Sequence, residues 1–87
     1  MKHEERKQNT YIGSAEIRLE NTTRRDNLVN AARAAGFIAE YDEAIGISFS
    51  GATTPSYWSI TVYAPGILNA VEKNEKRRAL AAAWVGL

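Results

Sequence analysis

The side chains that could carry out chemistry in this chain are few. There is one histidine, His3, and no cysteine. His3 lies in a polar N-terminal segment, where nothing would hold an imidazole in the geometry that acid–base catalysis requires. The lack of cysteine excludes disulfides, thiol catalysis and cysteine-based zinc sites. We therefore predict no catalytic residue and a protein that is not an enzyme.

Three acidic residues close together, Glu40, Asp42 and Glu43, could in principle bind a hard cation such as Mg²⁺ or Ca²⁺. No further oxygen donors follow at the spacing of a cation-binding loop, and three acids at a hairpin turn are typical of a solvated loop. The chain also has no glycine-rich phosphate loop. We expect neither a metal site nor a cofactor.

The basic residues form two groups that could contact the phosphates of RNA or DNA. On the last predicted helix, residues three and four positions apart would share one face. The same helix contains Glu72 and Glu75, which could pair with Lys76 and Arg78, and we favour this ordinary solvated face over a nucleic-acid site. The candidate nucleic-acid-binding residues are Arg24, Arg25, Lys73, Lys76, Arg77 and Arg78.

The strongest signal is a stretch without charge. From Ala44 to Val71 there are 28 residues without Lys, Arg, Asp or Glu, although the chain has 21 such residues elsewhere. One face of the best predicted strand in this stretch is uncharged and rich in tyrosine and hydroxyl groups, a composition that protein interfaces favour. It could instead belong to a central strand that the chain itself covers on both sides. The candidate protein-binding residues are Tyr57, Ser59, Thr61 and Tyr63.

The elements that would position these residues follow from the hydrophobic pattern. Odd positions from Tyr11 predict a first strand, and Thr23 with Asp26 predicts the cap of a helix that ends at Gly36. The remaining chain predicts three strands and a last helix. The first of these strands is Phe37 to Tyr41, and a tight turn at Asp42 and Glu43 follows it. The second has Ile45, Ile47 and Phe49 facing inward, and the third has Trp58, Ile60 and Val62 facing inward. The helix runs from Ile67 to Leu87, whole or in two pieces.

We therefore predict an α+β fold with two layers, in which a four-stranded, largely antiparallel sheet carries two helices on one face. The order of elements is β-α-β-β-β-α. Residues 1–9 would be a flexible polar arm and residues 10–87 a single domain. The arm resembles neither a signal peptide nor a membrane anchor, so we expect a cytoplasmic protein without membrane contact.

From Arg24 onward, the predicted order of helix, three strands and helix resembles that of double-stranded RNA-binding domains. The segment Lys76-Arg77-Arg78-Ala79 is similar to that family's Lys-Lys-x-Ala, although Leu80 stands where a further lysine is usual. This resemblance implies RNA binding through the last helix. The formal net charge of only +1 indicates that any such site would be local.

Two functions remain open. The first is a small protein-binding module of the inhibitor or adaptor type, whose partner is another protein or a second copy in a homodimer. It would bind through the face or the edge of the sheet around Ser56 to Ala64. The alternative is an RNA- or DNA-binding module that uses the basic residues.

Overall fold

The computed structural model describes residues 8–45 and 56–87, which form three strands and two helices. The predicted α+β class with an antiparallel sheet is confirmed. Neither described helix is long and apolar enough to cross a membrane. In chain order the elements are β1 (Asn9–Arg18), α1 (Thr22–Ala34), β2 (Ile38–Ala44), β3 (Tyr57–Pro65) and α2 (Ala70–Trp84).

Two predicted segments lie largely outside the described residues. Of the predicted arm, only its last two residues are described, and Asn9 already pairs with Pro65 in the sheet. The inward positions Ile47 and Phe49 of the predicted additional strand fall in the range 46–55, which is not described. Ile45, predicted with them, follows the end of β2 and is exposed.

The sheet has the strand order β1-β3-β2, so β3 is its central strand. Both neighbours pair with β3 in the antiparallel direction. The tight turn predicted at Asp42 and Glu43 is wrong, because these residues lie within β2, opposite Ser59 and Trp58. Adjacent acids are typical of turns, but an edge strand also tolerates charged side chains because they discourage pairing with other chains.

A β-bulge in β1 decides which of its side chains face the core. Tyr11 lies opposite Tyr63 and Gly13 opposite Val62, which leaves Ile12 as the extra residue. Ile12 is 3% exposed and Tyr11 is 47% exposed. The predicted inward alternation of odd positions therefore holds from Gly13 onward and is wrong at Tyr11, since the bulge reverses the alternation between them.

Helix α1 begins with a different cap from the one predicted. The side chain of Asn21 accepts a hydrogen bond of 3.3 Å from the backbone N–H of Arg24. The predicted cap of Thr23 with Asp26 is wrong, because Thr23 already lies inside the helix. The predicted end is confirmed: Gly36 adopts a positive φ of 93°, the conformation that terminates helices and that glycine adopts without strain.

Helix α2 begins with a reciprocal capping box. The Asn69 side chain accepts from the backbone N–H of Glu72 at 2.9 Å, and the Glu72 carboxylate accepts from the N–H of Asn69 at 3.2 Å. The helix is continuous from Ala70, so the start predicted at Ile67 is wrong. Ile67 and Val71 are exposed, and the helix contributes to the core only further along.

Both helices pack into one hydrophobic core with the sheet. The indole N–H of Trp84 in α2 donates to the Leu28 carbonyl of α1 at 2.9 Å, and the indole N–H of Trp58 donates to the Leu19 carbonyl at 3.1 Å. These bonds satisfy the indoles where the rings are partly buried. The buried core residues are Ile12, Ile17, Leu28, Val29, Ala32, Phe37, Ala39, Ile60, Val62, Ala64 and Leu80.

Candidate functional site

The predicted protein-binding residues all lie on the same face of β3. Because side chains alternate along a strand, Tyr57, Ser59, Thr61 and Tyr63 point away from Ile60 and the core. All four are half-buried. The structure therefore brings the predicted set together as a row along the central strand.

The strands beside β3 complete this face, and they add charges that the prediction did not include. None of the residues on this face is buried. We call it the open sheet face. Across the strands, its rows are Tyr11–Tyr63–Ile38, Ser14–Thr61–Glu40, Glu16–Ser59–Asp42 and Arg18–Tyr57–Ala44, with Asn9 and Pro65 at the end next to Tyr63.

The face as a whole is therefore not uncharged. The side chains that β3 contributes to this face carry no charge. On the neighbouring strands, however, Glu16, Glu40 and Asp42 lie on both sides of Ser59 and Thr61. Arg18 is the one basic residue among these rows of described residues. The sequence shows each acid, but only the antiparallel register shows that the three carboxylates border the same pair of hydroxyl groups.

One end of the open sheet face is aromatic and apolar. The rings of Tyr11 and Tyr63 meet edge to face, with centroids 6.1 Å apart. The Tyr11 hydroxyl donates to the Ser14 hydroxyl at 3.1 Å, which fixes the direction of the Tyr11 ring. Beside this pair, a pocket of about 110 Å³ is lined by Asn9, Ile38, Glu40 and Tyr63.

The expectation of binding through the edge of the sheet around Ser56 to Ala64 is wrong. From Tyr57 to Tyr63, strand β3 pairs with β1 on one side and with β2 on the other. Its backbone groups therefore have no free edge to offer to a partner strand. Binding at these residues has to use side chains on the face of the sheet.

The basic residues at the start of α1 have separate environments. Arg24 is exposed. The Arg25 side chain is only 13% exposed, and its guanidinium lies 4.3 Å from the ring centroid of Tyr41 and 4.5 Å from that of Trp58. It also forms an ion pair of 2.8 Å with Asp26. The prediction that Arg25 contacts nucleic acid does not fit this geometry, because its charge is already engaged inside the protein.

Three of the basic residues of α2 are exposed to solvent, namely Lys76, Arg77 and Arg78, whereas Lys73 is half-buried. The expected pairs between these cations and Glu72 or Glu75 are not formed. Within the described residues, an ion pair shorter than 4.0 Å forms only between Arg25 and Asp26. Arg77 instead donates to the side chain of Asn74 at 3.4 Å.

The three acids considered as metal ligands do not converge. Glu40 and Asp42 lie on the open sheet face, whereas Glu43 lies opposite Trp58 on the side of the sheet that faces the helices. Within the described residues, no group of three or more His, Asp or Glu side chains is arranged to hold a metal ion. The strand conformation of β2 separates residues that a turn would have brought together.

Comparison of the chain with known protein families, with curated proteins and with solved structures finds no match. The open sheet face holds all four predicted protein-binding residues in one place.

Proposed function

We propose that the protein is a non-enzymatic protein-binding module, of the inhibitor or adaptor type, that contacts its partner through the open sheet face. The observation that carries this proposal is the row of Tyr57, Ser59, Thr61 and Tyr63 along the central strand, on the face opposite the core. Tyrosine side chains offer a large contact area with little loss of conformational entropy. Serine and threonine add hydrogen bonds without the cost of burying a charge.

This face is preorganised for binding. Strand β3 is held on both sides by antiparallel pairing, so the four side chains keep a fixed spacing. The contact of Tyr63 with Tyr11 further restricts the ring at one end. A surface that is already ordered before binding loses little conformational freedom when a partner docks, which favours affinity.

The charges on the open sheet face favour a different protein over a second copy of this chain. In a face-to-face homodimer, Glu16, Glu40 and Asp42 of one copy would approach the same carboxylates of the other. Like charges brought together across an interface are costly. A partner whose contact surface carries Lys or Arg would complement these carboxylates instead.

Nucleic-acid binding through α2 is a second candidate. It is favoured by the exposure of three consecutive cations, Lys76, Arg77 and Arg78, which form no ion pair within the described residues. Such cations can neutralise phosphates and release their counterions. The carboxylates of the open sheet face would repel a polyanion, so this function would use a different surface from protein binding.

A capture experiment with matched variants tests the proposed function. The purified chain is immobilised and exposed to a nuclease-treated extract of its host, and proteins that it retains are identified and then purified for direct binding. Tyr57→Ala combined with Tyr63→Ala should abolish this direct binding, whereas Lys76→Glu with Arg77→Glu and Arg78→Glu should leave it unchanged.

Circular dichroism checks that each variant is folded. If the tyrosine variant unfolds, Thr61→Arg provides a second test, because it places a bulky charge in the centre of the face and keeps both rings. Binding that survives the face variants but is lost in the α2 variant would contradict the proposal. If no protein is retained, the purified chain is tested with added RNA and DNA; binding that is lost in the α2 variant would favour the second candidate.

A further inference from the structure

We infer that the pocket at the aromatic end of the open sheet face binds a Lys or Arg side chain of the partner protein. This inference rests on the proposed function and specifies the chemistry of the partner. The pocket is lined by Asn9, Ile38, Glu40 and Tyr63. Among the described residues, it thus combines the apolar surfaces of Ile38 and Tyr63 with a carboxylate and an asparagine.

The register of the sheet explains how these groups come together. Ile38 lies directly opposite Tyr63 in the pairing of β2 with β3. Glu40 is two residues further along β2 and therefore on the same face of the sheet. Asn9 is contributed by the first position of β1. Three different strands thus contribute described residues to the pocket, so its shape depends on the register of the sheet.

The size of the pocket indicates a single side chain as its occupant. Its volume of about 110 Å³ is well below the roughly 300–1,000 Å³ typical of small-molecule and cofactor sites. A side chain that occupies it would contact Ile38 and Tyr63 and lie close to Glu40, because all three line the pocket. The occupant should therefore have an apolar stem and a polar end.

The negative charge of Glu40 in the pocket favours a cation as the polar end of the bound side chain. Lys and Arg bury their methylene stems against apolar surface and keep their charged groups in contact with polar partners. The Glu40 carboxylate attracts the cation, and Ile38 and Tyr63 contact its methylene stem. Glu16 and Asp42, on the same face, strengthen the negative potential and disfavour an acidic side chain.

Nuclear magnetic resonance titration with small probes tests this inference on the full chain. The ¹⁵N-labelled protein is titrated with N-acetyl-arginine methylamide, with N-acetyl-lysine methylamide, and with the uncharged N-acetyl-norleucine methylamide. We expect the shifts to concentrate at the amides of Ile38, Glu40 and Tyr63. The initial slope should be about two- to five-fold steeper for at least one cation than for norleucine, the range of a solvent-accessible ion pair.

The control compares two acids of the same strand. Glu40→Gln should remove the preference for the cation, whereas Glu43→Gln, on the opposite face of β2, should retain it. Equal slopes for the cations and norleucine, an unchanged preference in Glu40→Gln, or shifts centred elsewhere would each overturn the inference.

The failure of this inference differs from the failure of the proposed function. If the pocket shows no preference for a cation but the tyrosine variant still loses a purified partner, the pocket inference fails and the proposed function stands. If the pocket prefers a cation but the face variants retain the partner, the proposed function fails, and with it the assignment of this pocket to partner binding.

Discussion

The guanidinium of Arg25 lies 4.5 Å from the centroid of the Trp58 ring, and this contact joins the first turn of α1 to the central strand of the sheet. The neighbouring strand takes part as well, because the Tyr41 ring lies 4.3 Å from the same guanidinium and meets Trp58 edge to face. A basic residue that could be mistaken for a nucleic-acid contact is therefore a structural contact between helix and sheet.

Replacement of Arg25 should destabilise the fold, whereas replacement of Arg24 should not. Arg25→Ala removes a largely buried cation–π contact, for which we expect a loss of about 1–2 kcal/mol in the free energy of unfolding. Arg24→Ala is the matched control, because Arg24 is the exposed neighbour, and its effect should stay within about 0.5 kcal/mol. Urea denaturation of both variants measures the difference, and equal stabilities would contradict the structural role of Arg25.

Gly13 should tolerate one added methyl group but not a larger side chain. A Cβ atom at this position would lie 3.4 Å from Cδ2 of Leu80 in α2, which is an ordinary contact. Gly13→Ala should leave the stability unchanged or raise it by up to about 1 kcal/mol, because glycine within a strand costs conformational entropy. Gly13→Val should lower the stability by about 1–3 kcal/mol through overpacking.

Thermal unfolding of these two Gly13 variants tests the packing of α2 on β1. If valine is tolerated as well as alanine, then α2 does not approach the strand as closely as the structure shows.

The capping box of α2 gives a prediction of its own. Asn69→Ala removes the acceptor for the Glu72 amide and should cost about 0.5–2 kcal/mol of stability. Asn74→Ala, inside the same helix, should be neutral or slightly stabilising, because alanine is the better helix former. The two variants are compared by denaturant midpoints, and a larger loss for Asn74→Ala would show that Asn69 does not cap the helix.

The carboxylates of the open sheet face should keep the chain from pairing with itself through this face. We expect a monomer at neutral pH by light scattering coupled to gel filtration. Neutralising the carboxylates with Glu16→Gln, Glu40→Gln and Asp42→Asn removes the repulsion between two such faces, and should therefore increase self-association at high protein concentration. A stable dimer of the unmodified chain that persists at low salt would contradict this account of the face.

Local patterns in the sequence were sufficient to predict some parts of the fold. The alternation around Ile60 predicted β3 and its two faces, and Gly36 predicted the end of α1, since each depends on residues close together in the chain. The four candidate interface residues could be grouped in the same way. Whether they lie in a central or an edge strand could not be predicted, because this depends on pairing between distant segments.

Other features of the structure could not be predicted, because they depend on contacts between distant residues or are not reflected in the residue types. The bulge at Ile12 inserts one residue into an otherwise regular alternation of inward and outward side chains. The residue types in this segment do not indicate where it occurs. The structural role of Arg25 requires that Tyr41 of β2 and Trp58 of β3 both lie next to its guanidinium. The pocket beside Tyr63 requires the register of all three strands, so neither site could be found from the sequence alone.

The central claim is that the open sheet face, and not the basic side of α2, contacts a protein. Site-specific photo-crosslinking in host cells tests it most directly, with a photoreactive phenylalanine placed in turn at Thr61 and at Arg78. We predict a discrete protein adduct from position 61 that is insensitive to nuclease, and no such adduct from position 78. Adducts formed only from position 78, or only with nucleic acid, would contradict the account.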